Sequence, residues 1–333
     1  GSVVTWGSSE DGGDSSAVSD QINSGVIQVF STNQNFAALK EDGSVVTWGG
    51  WGSQDPELSE GVIDIFTAHE AFAALKDDGS VVTWGYYNGG GNSSSVSKQL
   101  SDGIKEIYST SEAFAALKND GSVVTWGAGS SNNNALNGYT GITYVSSNQL
   151  NRVKEIFGNR LAFAALREDG SVLTWGVSEA GGDSSSVAQE LKNGVVNIVA
   201  AAEAFAALKD DGSVVTWGVP HEGGDSSQFK SELRNDVIKI FATSNAFAAL
   251  KNDGSVVTWG ESTTIEDWHA NPSTGNVVVD NNANQYQTAN LLTDVQDIFT
   301  STYAFTALKN DGSVFSWGKV NPQRKLPDRN EDM

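Results

Sequence analysis

Trp-Gly dipeptides form a series along this chain, at Trp6, Trp48, Trp84, Trp126, Trp175, Trp217, Trp259 and Trp317, at intervals of 42, 36, 42, 49, 42, 42 and 58 residues. Seven of these tryptophans close one block, which at Phe72–Gly85 reads Phe-Ala-Ala-Leu-Lys-Asp-Asp-Gly-Ser-Val-Val-Thr-Trp-Gly. The block's Phe stands twelve residues before its Trp each time, at Phe36, Phe72, Phe114, Phe163, Phe205, Phe247 and Phe305. A short apolar stretch precedes each block, as in 26–30, 62–66 and 104–108. A period near 42 over 333 residues means one supersecondary unit copied along the chain, and it overrides the two-domain expectation that length alone would set. Residues 1–318 are expected to form one repeat domain. Residues 319–333, rich in Pro and charge, lie outside the period and read as a flexible tail.

Each unit reads as β structure. The Val/Ile stretch is a first strand, Phe-Ala-Ala-Leu-Lys a second and Ser-Val-Val-Thr-Trp a third. Asp-Gly stands between the second and third strands in all seven units and is a tight-turn signal, because both residues tolerate positive φ. The second strand is apolar on both faces, with Phe36 and Ala38 on one and Ala37 and Leu39 on the other, so it must lie between two packed layers.

After Trp-Gly, four units carry Gly-Gly-Asp/Asn-Ser-Ser and then an i,i+4 apolar pair: Val18/Ile22, Val96/Leu100, Val187/Leu191 and Phe229/Leu233. That spacing predicts a helix of one or two turns, with a short outer strand as the alternative. There are seven first strands, seven second strands and eight third strands, since Gly1–Gly7 is an orphan copy. An all-β, seven-bladed propeller is therefore expected, with three inner strands per blade, a short outer helix or strand, and the N-terminal strand closing the ring. An open array is the other arrangement that the count allows.

These residues resemble the repeats of the regulator-of-chromosome-condensation family of seven-bladed β-propellers, with Val62–Gly85 as a good example and residues 1–318 as the extent. The chain departs from the family where a Gly-Gln-Leu-Gly-like element follows Trp-Gly and where the corner before the second strand normally carries a His. The resemblance implies a propeller that works as a protein-interaction platform, or less often as a nucleotide-exchange factor for a small GTPase or a chromatin binder. No segment matches the protruding element expected of the exchange factors.

Composition narrows the choice. With 20 Lys plus Arg against 41 Asp plus Glu, the net charge of −21 argues against a nucleic-acid partner. No run of 18 apolar residues is present, so no membrane insertion is expected. The chain contains no Cys, which removes disulfides, thiolate metal sites and a cysteine nucleophile. Its three His residues have no partner at motif spacing, and no enzyme activity is expected; glycoside chemistry is the residual alternative. The acidic, Cys-free composition favours an extracellular or cell-surface setting over a cytoplasmic one.

The large departures from the period all follow Trp-Gly, around 49–60, 128–148 and 261–290, so one rim carries them. That rim is the expected binding face. Its candidates are the corner residues His69, Glu70, Glu112, Arg160, Glu203 and Tyr303, together with Trp51, Trp268 and His269 in the irregular loops. The eight repeat tryptophans and seven repeat phenylalanines read as structural. No cofactor is expected. The Gly-Gly-Asp-Ser-Ser loops read as Asx turns and helix caps, with calcium near Asp11 and Asp14 as the alternative. The leading expectation is a non-catalytic scaffold that binds a protein through this rim, as a monomer or a module of a larger chain. The alternative is a structural or adhesive module of a surface protein, stabilised by divalent cations.

Overall fold

The computed structural model describes residues 1–50, 58–128, 141–146, 148–260, 267–270, 277–280 and 292–318. Seven antiparallel sheets follow one another along the chain. Sheet 1 holds β1 (Val26–Ser31), β2 (Asn35–Lys40) and β3 (Val45–Gly49), and sheet 2 holds β4 (Val62–Thr67), β5 (Ala71–Lys76) and β6 (Val81–Gly85). Sheet 3 holds β7 (Ile104–Ser109), β8 (Ala113–Lys118) and β9 (Val123–Gly127). In sheet 4, β10 (Ile142–Thr143) lies outside β13 (Val172–Val177), which pairs in turn with β12 (Ala162–Arg167) and β11 (Val153–Gly158). Sheet 5 holds β14 (Val195–Ala200), β15 (Ala204–Lys209) and β16 (Val214–Gly218), and sheet 6 holds β17 (Val237–Ala242), β18 (Ala246–Lys251) and β19 (Val256–Gly260). Sheet 7 runs β21 (Val277–Asp280), β20 (Asp267–Ala270), β24 (Val314–Gly318), β23 (Ala304–Lys309), β22 (Val295–Thr300). This is an all-β, propeller-like arrangement.

The Asp-Gly turn sets the register of every unit. In all seven turns the Asp carboxylate accepts both the N–H and the hydroxyl of the Ser two residues on, as Asp78 does from Ser80 at 2.9 and 2.6 Å. These hydrogen bonds hold the carboxyls of Asp42, Asp78, Asp120, Asp169, Asp211, Asp253 and Asp311 below the ordinary carboxylate range. With the turn fixed, the block's Phe sits directly across from its Trp, as in Phe72↔Trp84. The two rings stack in every sheet, with centroids 5.0–5.5 Å apart. Such a pair contributes about 0.5–1.5 kcal/mol beyond the area it buries.

The second strands lie between layers, as their two apolar faces require. In sheet 2, Ala71, Ala73 and Leu75 face the next sheet, where they meet Ile104, Ile107, Phe114 and Trp126. Its Phe72 and Ala74 face the preceding sheet, against Ala37, Leu39 and Val45. Alanine at these positions lets neighbouring sheets approach closely.

Two sets of main-chain hydrogen bonds join successive sheets. At one rim the N–H of Asn33 donates to the carbonyl of His69, His69 to Ser111, Ser111 to Arg160, Arg160 to Ala202, Ala202 to Ser244 and Ser244 to Thr302, all at 2.7–3.1 Å. At the opposite rim Val62, Ile104, Val153, Val195, Val237 and Val295 donate back to Gly43, Gly79, Gly121, Gly170, Gly212 and Gly254 at 2.9–3.1 Å. Six junctions are thus tied at both rims.

The segment after Trp-Gly contains a three-residue 3-10 turn in four units, at Ser16–Val18, Ser94–Val96, Ser185–Val187 and Ser227–Phe229, the short helix of the two expectations and not the outer strand. The predicted i,i+4 pairs form in it, and Ile22, Leu100, Leu191 and Leu233 are buried. The orphan copy at the N-terminus departs from expectation. Sheet 7 already contains a third strand of its own, β24, and residues 1–7 join no sheet. They lie on sheet 1, held by Val3 N–H to the Ile22 carbonyl and by reciprocal bonds between Gly1 and Val26. Trp6 is 84% exposed, whereas the seven other repeat tryptophans are buried.

Candidate functional site

The rim predicted to carry the binding residues is built by the corners between first and second strands. Five corner carbonyls also anchor the segment leaving the third strand: Gln34, Glu70, Glu112, Leu161 and Glu203 accept the N–H groups of Gly50, Tyr86, Ala128, Val177 and Val219. The corner and the start of each inter-sheet segment therefore share one rim, as the strand directions imply. The Asp-Gly turns lie at the other.

Three candidates come together at the junctions of the first three sheets. The His69 Nε2 lies 2.5 Å from the Asn33 side-chain nitrogen. Glu112, in the next corner, is partly buried, and its carboxyl is pushed up, first by that burial and also by Glu70, with His69 opposing. Glu70, Glu112 and His69 thus form one electrostatic group. Arg160 and Glu203 make a separate ion pair across the junction of sheets 4 and 5, which neutralises that carboxylate. Tyr303 is exposed on the last corner. Trp268 and His269 fall on β20, where Trp268 is in register with Ser316 of β24; their side chains, and Trp51, lie outside the described residues.

The loops considered for calcium have another use. Asp14, Asn92, Asp183 and Asp225 each accept the N–H of the Ser two residues on, which is the Asx turn. A Thr of the preceding third strand bonds the loop's first Ser, as Thr83 does to Ser93 at 3.0 Å. The carbonyls of Gly12, Gly90, Gly181 and Gly223 accept the indole N–H groups of Trp48, Trp126, Trp217 and Trp259 at 3.0–3.1 Å. At Gly90 φ is +100°, and a Cβ would stand 2.6 Å from the Phe114 ring, so only glycine fits. No group of three or more potential metal-ligating side chains occurs among the described residues.

One positional feature escapes a sequence reading based on i,i+4 pairs. A buried apolar residue stands three or four positions before the first strand in every unit: Ile22, Leu58, Leu100, Leu150, Leu191, Leu233 and Leu292. The lysines that end the second strands also have a use that charge alone would not reveal, because Lys118, Lys209 and Lys251 donate to the carbonyls of Gln99, Glu190 and Glu232.

No family model matches the chain. No curated protein matches it either. Among solved structures, Prp20p from Saccharomyces cerevisiae is similar at 16% identity over 77% of this chain and 72% of that one, with a TM-score of 0.42. The ectodomain of the Physcomitrella patens receptor kinase CR4 is similar at 13% identity over 87% and 71%, also with a TM-score of 0.42. The CRINKLY WD40 ectodomain of the Arabidopsis thaliana receptor kinase ACR4 is similar at 15% identity over 86% and 94%, with a TM-score of 0.38.

Proposed function

We propose that this protein is a non-catalytic scaffold that binds a protein partner through the corner rim, and that the partner presents a basic segment to it. One observation carries the reading. A continuous series of main-chain bonds ties the corners to each other, and that series does not depend on which side chains the corners carry. Those side chains differ from unit to unit: Asn33-Gln34, His69-Glu70, Ser111-Glu112, Arg160-Leu161, Ala202-Glu203, Ser244-Asn245 and Thr302-Tyr303. The opposite rim repeats Asp, Gly and Ser in all seven units, which leaves it little to distinguish one partner from another.

A rigid frame with varied side chains suits recognition. Glu70 and the partly buried Glu112 supply negative charge, whereas Glu203 is already paired with Arg160. A set of lysine- and arginine-rich peptides, titrated by fluorescence anisotropy, tests this. The Glu70→Gln/Glu112→Gln protein is expected to bind about tenfold more weakly, with a flatter salt dependence. Unchanged affinity and unchanged salt dependence would defeat the proposal.

A further inference from the structure

Glu70, Glu112 and Glu203 hold equivalent places in the corners of sheets 2, 3 and 5, and the last of them has a cation from its own chain. Arg160, in the preceding corner, sets its guanidinium against Glu203. The residues in the place of Arg160 ahead of Glu70 and Glu112 are Asn33 and His69, whose side chains meet each other at 2.5 Å. The carboxylates of Glu70 and Glu112 make no hydrogen bond or ion pair among the described residues, although both residues are partly buried. Burial above all, with His69 opposing and Glu70 adding, pushes the Glu112 carboxyl up. A guanidinium placed here gains what Arg160 gains at Glu203, and it relieves the repulsion between the two carboxylates as well.

The chain that runs between these two corners is aromatic. Tyr86, the first residue after β6, donates its N–H to the Glu70 carbonyl at 2.8 Å. By Gly90 the segment has reached the next corner. A Cβ on Gly127 would stand 3.2 Å from the Gly90 Cα and 2.6 Å from the Glu112 carbonyl oxygen. Tyr86 and Tyr87 therefore lie between Glu70 and Glu112 on the rim, and they are 40% and 64% exposed. The Tyr86 ring leans on its own turn, where a Cβ on Gly89 would be 3.5 Å away, so Tyr87 is the more open of the two. The other three segments that lead into a Gly-Gly loop begin Ser8-Ser9, Val177-Ser178 and Val219-Pro220. The loop thus forms without aromatic residues at this place, and packing does not require them.

We propose that an arginine of the partner seats at the junction of sheets 2 and 3, its guanidinium paired with Glu112 and Glu70 and its plane stacked on Tyr87. Resting on the corner-rim reading above, the seat further specifies which cation is taken and which side chain distinguishes it. A lysine ammonium meets the same negative charge, but it is a compact, strongly hydrated point charge. It has neither the planar fork that matches carboxylates nor a plane to lay on a ring. Tyr87 is then a specificity-determining residue, while the two carboxylates attract either cation.

Two labelled peptides, identical except that one carries arginines where the other carries lysines, test the seat by fluorescence anisotropy on the full chain. The arginine peptide is expected to bind wild type about tenfold more tightly. Tyr87→Leu is expected to abolish that preference by weakening the arginine peptide and sparing the lysine one, whereas Tyr87→Phe keeps it. The site is exposed, and near-UV circular dichroism checks that both variants remain folded. Equal binding of the two peptides by wild type would overturn the proposal. So would a preference that Tyr87→Leu leaves intact or that Tyr87→Phe also removes. Each of these results leaves the corner rim standing as long as Glu70→Gln/Glu112→Gln still weakens both peptides. If that double substitution weakens neither, the corner-rim reading falls and the arginine seat with it.

Discussion

Sheets 1, 3, 5 and 6 differ from sheets 2, 4 and 7 in one component. The first group is preceded by a Gly-Gly-Asp/Asn-Ser-Ser loop, and the indole N–H of its Trp donates to a glycine carbonyl of that loop. The second group is preceded by the segments that break the period, and Trp84, Trp175 and Trp317 have buried indole nitrogens with no partner among the described residues. The Phe–Trp stack is the same in both groups. The loop is therefore internal mortar, satisfying a buried donor and covering an aromatic pair. The stack survives without it, and a unit that omits it leaves its inter-sheet segment free to diverge.

The largest test of this contrast is Gly90→Ala. Positive φ and the clash with Phe114 together are expected to cost about 3 kcal/mol in a denaturant melt. Gly7→Ala is the control, because Gly7 has positive φ but nothing within 4 Å of an added Cβ. It is expected to cost no more than about 1 kcal/mol. Equal losses would mean that the loop does not press on the aromatic pair. A smaller effect separates the groups directly. Trp126→Phe forfeits the bond to Gly90, while Trp84→Phe forfeits no hydrogen bond among the described residues, so the former is expected to be worse by about 1–2 kcal/mol. If the two cost the same, the indole bond contributes nothing.

The smallest effect depends on pH. The Ser227 N–H lowers the Asp225 carboxyl below its ordinary value, so its contribution is complete above about pH 4 and is lost as pH falls through the folded value. Asp225→Ala is expected to cost about 0.5–1 kcal/mol at neutral pH, and that difference from wild type to shrink in acid. A difference that persists in acid would remove the carboxylate from the account.

Much of the frame was legible because turn chemistry and the period-two pattern act locally. Asp-Gly-Ser and the twelve-residue Phe-to-Trp spacing together specify a hairpin with the two rings opposed. The seven-fold apolar position before the first strand was obscured in three units. Four residues before Leu58, Leu150 and Leu292 stand Gln54, Ser146 and Thr288, so the i,i+4 signal is absent there. The corner bonds left no trace in the sequence for a physical reason. They join main-chain groups, which residues as unlike as Arg160 and Ala202 supply equally well. The grouping of His69, Glu70 and Glu112 depends on that unseen frame. The exposed Trp6 was misleading in the opposite sense, since an intact copy of the third-strand sequence lacks the Phe of its own unit.

The serial junctions have a thermodynamic consequence. Where each sheet touches only its immediate neighbours, stability is close to a sum of sheet terms and nearest-neighbour coupling terms. Among the described residues, sheets 1 and 7 each show one such coupling and the other five show two. Opening can begin at either end of that series and advance inward one sheet at a time, and amide protection is then graded from the end sheets to the middle. On that scale sheet 4, with three couplings on either side, is the last part of the molecule to exchange.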